Sequence, residues 1–279
     1  ANPGSAGWTI QDLQTPAPLA LNTLHRVTNV FNNDTLYFQL SLEAGQQVYA
    51  EARTATGFTS TSSIGWTVWS PYIRPLFAQS WTDAGFTAPF TGDYLVALRN
   101  QGFDPGTNGV REFRFHTVTN TVRELALGTV VADRIAMPGQ IHRYTVTLNQ
   151  SRRVAFDVLD DSEALWNLSG PTGSIDGTRF WNDVWSVHTL PAGTYSVTVR
   201  GNAAETPEFA FRLVDLSAGE TIALGDTVTR SFQPAGGIRV FRLNLNAGKK
   251  FYPRLRAFSG FPAGMPTWRL EDPAGRVMF

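Results

Sequence analysis

The sequence predicts an all-β protein of tandem two-sheet antiparallel β-sandwich modules, immunoglobulin-like or jelly-roll-like, and three observations support this fold class. Thr, Val, Phe, Gly and Asn are abundant and only 16% of the 279 residues are charged, a composition typical of strands. Gly or Pro interrupts the chain about every eight to twelve residues, the spacing of short strands joined by turns. Segments of about 100 residues also repeat along the chain, which is the size of one sandwich domain.

Each repeat contains a predicted hairpin whose first strand alternates apolar and polar residues. Three segments align, LYFQLSLEAGQQVYAEA from Leu36, HRYTVTLNQSRRVAFDV from His142 and RVFRLNLNAGKKFYPRL from Arg239. Because successive side chains of a strand point to opposite faces of a sheet, the alternation predicts one apolar face in every copy.

The second repeated pattern is a Trp, an aliphatic residue two positions later and a Pro three positions after that. It occurs as Trp66-Val68-Pro71, Trp166-Leu168-Pro171 and Trp268-Leu270-Pro273. The Trp and the aliphatic residue share one face of a strand, and the Pro ends the strand because it cannot donate to the ladder. We therefore expect Trp66, Trp166 and Trp268 to be structural core residues.

The third repeated pattern is a Gly-x-Tyr sequence that opens an alternating strand. It begins GDYLVALRN at Gly92 and GTYSVTVRG at Gly193. The Gly is expected to supply the turn and the Tyr to start the strand, which places Tyr94 and Tyr195 in the core.

These patterns predict how the chain is divided. WTIQDLQTPAPLALN near the start resembles FRLVDLSAGETIALG from Phe211, and the first two repeats close with aromatic strands that align as FRFHTV from Phe113 and FAFRLV from Phe209. The third copy has the Trp pattern but no Gly-x-Tyr strand. The expected segments are a last strand of a preceding repeat plus linker at 1–18, repeat 1 at 19–121, repeat 2 at 122–218 and a truncated repeat 3 at 219–279.

Charge and residue content exclude several classes of function. The 23 Lys and Arg balance 23 Asp and Glu, and the basic residues are scattered, which argues against a nucleic-acid or anionic-membrane surface. No apolar run approaches the roughly 18 residues of a membrane span. Because the chain has no Cys, disulfides, thiol nucleophiles and Cys metal sites are excluded.

The sequence contains no catalytic motif, so we expect a chain that is not an enzyme and has no cofactor. The nucleophile elbow GxSxG, the zinc motif HExxH, the phosphate loop GxxxxGK[ST] and paired carboxylates are all missing. The histidines are isolated in the sequence and are expected to be ordinary strand or edge residues: His25, His116, His142 and His188.

An acidic cluster after a strand of the second repeat is the one metal candidate. Asp160, Asp161 and Glu163 lie in a loop that could offer oxygen ligands to calcium. The equivalent loops of the other copies, TATGF and AFSGF, carry no carboxylate. A solvated turn is therefore favoured over a metal site.

Aromatic residues outside the repeated Trp pattern are the main indication of a binding surface. They are Trp69, Tyr72, Trp81, Trp181 and Trp185, and partial exposure is expected. Four of them, Trp69, Tyr72, Trp181 and Trp185, form the candidate ligand platform, because aromatic rings stack on sugar faces. The favoured alternative is that they cap the core or fill the junction between modules, since large aromatics are usually mostly buried.

The repeats resemble the pre-peptidase C-terminal (PPC)-like β-sandwich modules of large bacterial secreted or surface proteins. The resemblance lies in VFRLNLNAG at 240–248 and LPAGTYSVTVRG at 190–201, and it covers two copies and part of a third. It implies carriage, spacing or binding without chemistry. It also implies export, as part of a larger protein, to the bacterial cell surface or the medium.

We therefore expect a non-catalytic structural or adhesive region that spaces or displays other domains of a larger extracellular bacterial protein. The alternatives are a carbohydrate-binding module and accessory domains of a secreted hydrolase or toxin. Expected partners are neighbouring repeats of the same polypeptide, a glycan or cell-surface protein, and a neighbouring chain that completes the truncated repeat with a strand. No nucleic acid and no membrane span are expected.

Overall fold

The computed structural model describes two complete β-sandwiches and a smaller unit. The described residues are 16–29, 35–60, 64–100, 108–160, 162–180, 186–233, 237–257, 259 and 267–278. The chain divides into two compact units, the first formed by Ala1–Gly219 and Ser231–Val240 and the second by Glu220–Arg230 and Phe241–Phe279. No helix in the described ranges is long and apolar enough to cross a membrane.

The described residues of sandwich 1 form nine strands in two sheets that share one core. The strands are β1 (Ala17–Pro18), β2 (His25–Asn29), β3 (Thr35–Leu42), β4 (Gln47–Thr56), β5 (Ile64–Trp69), β6 (Pro75–Ser80), β7 (Ala84–Thr87), β8 (Gly92–Asn100) and β9 (Gly109–Val118). One sheet has the order β1-β3-β8-β5-β6 and the other β2-β9-β4-β7. Neighbouring strands pair antiparallel, except that β1 runs parallel to β3.

Sandwich 2 repeats this topology strand for strand. Its strands are β10 (Thr121–Glu124), β11 (Val131–Arg134), β12 (Ile141–Leu148), β13 (Arg152–Val158), β14 (Leu165–Gly170), β15 (Gly173–Asp176), β16 (Val187–Leu190), β17 (Gly193–Arg200) and β18 (Glu208–Asp215), followed by a 3-10 turn at Leu216–Ala218. The orders are β10-β12-β17-β14-β15 and β11-β18-β13-β16, with β10 parallel to β12. The predicted tandem β-sandwich fold class is confirmed.

The first strand of sandwich 2 includes residues that connect the two modules. β1 and β10 begin at residues 17 and 121, whereas the sequence pattern predicts repeat starts at 19 and 122. The connecting residues are therefore part of the sheets. Residues 1–15, predicted to contain the last strand of a preceding repeat, lie outside the described residues.

Both cores are built from the repeated aromatic and aliphatic positions. Trp66 and Trp166 are buried, and so are Tyr94 and Tyr195. Trp81, which the sequence predicts to be partly exposed, is also a core residue. The centroid of its ring lies 4.9 Å from that of Trp66. Burial of these large apolar surfaces is the main source of stability in each sandwich.

The Trp and Gly-x-Tyr patterns meet in space. Gly92 has a φ of 149°, and a Cβ on it would lie 2.9 Å from Cγ of Pro71. Gly193 has a φ of 156°, and a Cβ there would lie 3.3 Å from Cγ of Pro171. The Pro that ends the Trp strand thus packs against the Gly that starts the central strand, and both the positive φ and the close approach favour Gly.

The Tyr of each Gly-x-Tyr pattern bonds to the backbone four residues earlier. The Tyr94 hydroxyl donates to the Phe90 carbonyl at 2.7 Å and accepts from the Phe90 N–H at 3.2 Å. The Tyr195 hydroxyl donates to the Pro191 carbonyl at 3.0 Å. This arrangement resembles the tyrosine corner of immunoglobulin-like sandwiches, and it gives a buried phenol the partner it needs.

The pairing registers align the closing strands differently from the sequence pattern. Ala52 of β4 lies opposite Phe113, whereas the equivalent Val158 of β13 lies opposite Phe211. Phe113 is therefore equivalent to Phe211, and its predicted alignment with Phe209 is wrong. A shift of two residues keeps every side chain on the same face, so alternation of apolar residues cannot detect it.

The second unit begins like the two sandwiches. Its strands β19 (Glu220–Ile222) and β20 (Phe241–Leu243) pair in parallel, as β10 and β12 do. Trp268 is 51% exposed, so the prediction that it is a core residue is wrong. The strands that enclose Trp66 and Trp166 in the sandwiches have no counterpart among the described residues of this unit.

Replacing Tyr94 with Phe is expected to lower the free energy of unfolding of sandwich 1 by about 1–2 kcal/mol, because the Phe90 backbone groups lose a hydrogen-bond partner. Urea unfolding monitored by amide exchange in β8 measures this loss. Tyr72→Phe, which changes an exposed side chain, is the control and should cost less than about 0.5 kcal/mol. Equal losses in the two variants would contradict the assignment.

Candidate functional site

The junction between sandwich 1 and sandwich 2 is the candidate functional site, because polar and aromatic side chains of both modules meet there. Thr119 and Asn120 alone separate β9 from β10. Asn120 bonds in both directions: its Nδ2 donates to Gln47 Oε1 at 2.6 Å, and its Oδ1 accepts from the Ile141 N–H at 2.8 Å. From sandwich 2, the buried Gln140 donates through Nε2 to the Thr119 carbonyl at 2.8 Å. These bonds limit reorientation at an already short connection.

Tyr49 of β4 packs against Gly139 of sandwich 2. A Cβ on Gly139 would lie 2.4 Å from Tyr49 Cδ2, and Gly139 has a φ of 76°. No larger residue fits this position without displacing the ring. The Tyr49 hydroxyl donates to Asp83 Oδ2 at 2.7 Å, and burial, together with the Asp83 carboxylate, raises the pKa of Tyr49 above its usual range. The phenol therefore stays a neutral donor.

Equivalent strands of the two sandwiches each bury one acid–base pair. Glu51 Oε2 lies 2.7 Å from His116 Nε2 in sandwich 1. In sandwich 2, Asp157, equivalent to Glu51, accepts from Arg212 Nε at 2.6 Å. Each pair satisfies a charge that would be costly to bury alone.

The Asp157–Arg212 pair also holds the segment that follows sandwich 2 in the same compact unit. The Ile238 N–H donates to both Asp157 carboxylate oxygens, at 3.1 and 3.0 Å. The Ile238 carbonyl accepts from Arg212 Nη2 at 2.8 Å. Ile238 is equivalent to Ile141, whose N–H donates a hydrogen bond to Asn120 Oδ1. The equivalent residues Ile141 and Ile238 are thus both held through their backbone groups within the first compact unit.

His142 ties the connecting strand β10 to the rest of sandwich 2. Its Nδ1 lies 3.0 Å from Thr121 Oγ1 and 3.3 Å from Asp133 Oδ2. Asp133 Oδ2 also accepts from Arg123 at 2.6 Å and from the Tyr144 hydroxyl at 3.2 Å. His142 Nε2 is buried without a hydrogen-bond partner in the described part of the chain, so a second proton would have no acceptor. Burial lowers the pKa of His142 despite the adjacent Asp133.

Histidines that are isolated in the sequence are thus paired in space. Besides His116 and His142, His188 Nε2 lies 2.8 Å from Asp176 Oδ2. The partners come from different strands, and His116 is 65 residues from Glu51. Local spacing therefore could not reveal these pairs. The His116–Glu51 pair links two paired strands of one sheet, whereas the His142–Asp133 and His188–Asp176 pairs link strands of opposite sheets. All three pairs therefore have a structural role.

Arg111 is a buried cation that sequence reasoning missed. Its guanidinium donates to Asn29 Oδ1 at 2.8 Å and to the Arg99 carbonyl at 3.0 Å, and no ion pair to it is found within the described residues. Burial lowers the pKa of Arg111 to about 10. The strand pairing places it at the position that Phe209 occupies in sandwich 2. Because the sequence comparison aligned the closing strands two residues out of register, it did not reveal that Arg111 stands where sandwich 2 has Phe209.

The acidic cluster is engaged in local contacts. Asp160 Oδ1 accepts from the Ser162 N–H at 3.3 Å, and Glu163 Oε2 lies 3.2 Å from Arg179 Nη1. Asp161 lies outside the described residues. Among the residues that the structure does describe, no group of three or more His, Cys, Asp and Glu is placed to hold a metal ion.

Two of the four platform aromatics can be located. Trp69, at the end of β5, is half-buried, and Tyr72, in the turn that follows, is 69% exposed. The Tyr72 ring packs edge-on against Phe90, with 4.8 Å between the centroids. Trp181 and Trp185 lie outside the described residues, so the platform of four residues stays a prediction.

The solvent face around Trp69 is apolar in sandwich 1 only. Trp69 lies opposite Leu95, and Tyr37 opposite Ala97, on the outer side of the first sheet. The equivalent residues of sandwich 2 are polar: Ser169, Ser196, Arg143 and Thr198. Only one of the two sandwiches has this outward-facing set of apolar residues, so the fold itself does not require it.

The turn beside this face also differs between repeats. Ile73 has a φ of 58° and is 82% exposed, whereas the equivalent residues are Gly173 and Gly275. A β-branched residue in the left-handed region is strained. Such strain often marks a functional surface, and here it displays an apolar side chain beside Tyr72.

No family model and no curated protein sequence matches the chain. Among solved structures, the pre-peptidase C-terminal domain of collagenase from Bacillus anthracis is similar at 11% identity, with 34% of this chain and 96% of that chain covered and a TM-score of 0.30. The CUB1-EGF-CUB2 domain of human MASP-1/3 is 6% identical over 69% of this chain and 100% of that chain, with a TM-score of 0.24. The corresponding domains of rat MASP-1 are 4% identical over 72% and 100%, at 0.25.

Acidification is expected to destabilise sandwich 2 through His142. Because the pKa of His142 is lowered from 6.5 in the folded state, its stabilising contribution is complete above that pH and is lost as the pH falls toward the lowered value. The facing Asp133 also has a lowered pKa, so its own contribution is lost only below about 3.8.

Amide exchange in β12 and β17, followed from about pH 8 to about pH 5, measures this loss. His142→Leu, which introduces the residue found at the equivalent Leu36, should remove the pH dependence. The same pH dependence in both proteins would show that His142 is not its source.

Proposed function

We propose that the chain is a non-catalytic repeat region that spaces or displays other domains of a larger extracellular bacterial protein. The junction between the two sandwiches is the observation that carries the proposal. Two residues connect the modules, and Asn120, Gln140 and the Tyr49–Gly139 contact bridge them. A connection with no free linker residues holds neighbouring modules at one distance and orientation, as spacing requires.

The contacts after sandwich 2 support the same function. Asp157 and Arg212 bond both backbone groups of Ile238, although the side chains differ from those of the first junction. Different residues therefore hold the equivalent residues Ile141 and Ile238 through their backbone within the first compact unit.

The extracellular, bacterial setting in this proposal comes from the resemblance of residues 190–201 and 240–248 to PPC-like modules. Those modules are carried in large secreted or surface proteins. The absence of Cys from the sequence is compatible with export. Stability in such a setting would come from the two aromatic cores.

Distance measurements between the sandwiches test the spacing function. Since the chain has no Cys, Ala78→Cys and Arg143→Cys, both at exposed positions, place one spin label on each sandwich. The label–label distance is expected to have a narrow distribution. Gly139→Val should broaden it, because the new side chain would overlap the Tyr49 ring.

Gly128→Val is the matched control, since Gly128 has a similar φ of 81° but no atom within 4 Å of an added Cβ. It should leave the distance distribution narrow. A broad distribution in the chain without either Gly substitution would refute fixed spacing. If the distance distribution of Gly139→Val were as narrow as that of the control, the Tyr49–Gly139 contact would not be the cause of the fixed spacing.

A carbohydrate-binding role is the second candidate, favoured by Trp69 and Tyr72 on the apolar side of sandwich 1. Trp69→Ala and Tyr72→Ala are each expected to weaken retention on an immobilised glycan array about tenfold, because each removes a ring that can stack on a sugar. Tyr252→Ala, which removes another exposed ring, is the control and should have no effect. Absence of binding by the unmodified chain would eliminate this candidate.

A further inference from the structure

The guanidinium of Arg111 lies in the core of sandwich 1, where its positive charge is out of contact with water. Arg111 is 0% exposed, and burial lowers its pKa only to about 10, so it stays charged at neutral pH. A buried charge is costly unless an opposite charge and hydrogen bonds compensate for it. Sandwich 2 has Phe209 at this position, so this place in the fold can be apolar.

The carboxylates on the neighbouring residue and on the paired strand are engaged elsewhere. Glu112 follows Arg111 in β9, so its side chain points to the opposite face of the sheet, where it accepts from Thr54 Oγ1 at 3.0 Å. Glu51 of β4 lies 2.7 Å from His116. Among the described residues, the hydrogen-bond acceptors of Arg111 are all neutral.

Both terminal nitrogens of the Arg111 guanidinium have acceptors. Nη2 donates to Asn29 Oδ1 at 2.8 Å and to the Leu98 carbonyl at 3.3 Å. Nη1 donates to the Arg99 carbonyl at 3.0 Å and to the Gly65 carbonyl at 3.5 Å. Because each of these nitrogens carries two hydrogens, the remaining donor of the guanidinium is Nε.

Three buried N–H donors at this guanidinium have no acceptor in the described part of the chain. They are Arg111 Nε, Asn29 Nδ2 and Trp81 Nε1. The orientation of the Asn29 amide is fixed, because its Oδ1 must face a guanidinium that cannot accept a hydrogen bond. The centroid of the Trp81 ring lies 5.3 Å from Cζ of Arg111. Buried donors without acceptors indicate a bound water or ion.

We propose that Arg111 Nε, Asn29 Nδ2 and Trp81 Nε1 form a binding site for a small monovalent anion of the size of chloride. A water molecule would have to donate its own hydrogens and would leave the charge uncompensated, whereas an anion accepts from every donor and neutralises the cation. The three side chains are at most 8% exposed, which favours a halide over a larger oxyanion. The proposal does not rest on the spacing function.

Amide exchange in the full chain tests the site, with sandwich 2 as the internal control. Chloride is varied at constant ionic strength by exchange against methanesulfonate, a larger anion. Core amides of β9 should become more protected, and above the dissociation constant each tenfold increase in chloride should raise their protection roughly tenfold. Protection in β17 and β18 should stay constant. Crystals grown in bromide should show an anomalous scattering peak beside Arg111 Nε.

Asn29→Asp is the sharpest variant, because it places a carboxylate beside the guanidinium without changing the size of the side chain. It should abolish the chloride dependence and raise the protection of β9 at low chloride. Trp81→Phe removes one of the three donors and should weaken chloride binding several-fold. Asn149→Asp, the same change at an exposed turn of sandwich 2, is the matched control and should leave the chloride dependence unchanged.

Equal chloride dependence in the two sandwiches would overturn the proposal, because bulk salt would then be the cause. A dependence that survives Asn29→Asp would overturn it too. So would protection of β9 that does not change with chloride. If Asp34→Asn or Asp104→Asn then created a chloride dependence, the counter-charge of Arg111 would be an aspartate of the chain, since both lie outside the described residues.

Discussion

The Gly-x-Tyr strand is hydrogen-bonded along both edges in each complete sandwich, and the placement of its neighbours depends on it. Its starting point is fixed twice, by the Pro that packs on its Gly and by the Tyr hydroxyl that bonds the preceding turn. A slip of one residue would turn its apolar side chains away from the core. Contacts at one end of one strand thus help to determine which residues of the neighbouring strands are buried.

Much of the fold could be predicted because strand periodicity is a local property. Trp66, Trp166, Tyr94 and Tyr195 lie in the cores where alternation and repetition predicted them. The closing strands were misaligned because a shift of two residues preserves alternation. Trp268 was expected in a core because its sequence matches, but burial depends on strands elsewhere.

The junction could not be predicted, because its contacts join residues that are far apart in the sequence and have no motif. No sequence pattern indicates that Tyr49 contacts Gly139, and Asn120 looks like any other polar residue of a linker. Arg111 was missed for a related reason, since a cation in a strand is expected to face solvent unless a partner is known. The aromatic residues near β5 were easier to notice, because Trp69 and Tyr72 stand where the other repeats have small or polar residues.

The parallel strand β10 gives residues of the connection between the sandwiches a second role as the edge of a sheet. An insertion within residues 121–124 would therefore shift β10 out of register with β12 and leave backbone groups of that edge unpaired. Evolution cannot easily tune the distance between these modules residue by residue. Duplication or loss of whole repeats remains the accessible route, so the length of such a protein would change in steps of one domain.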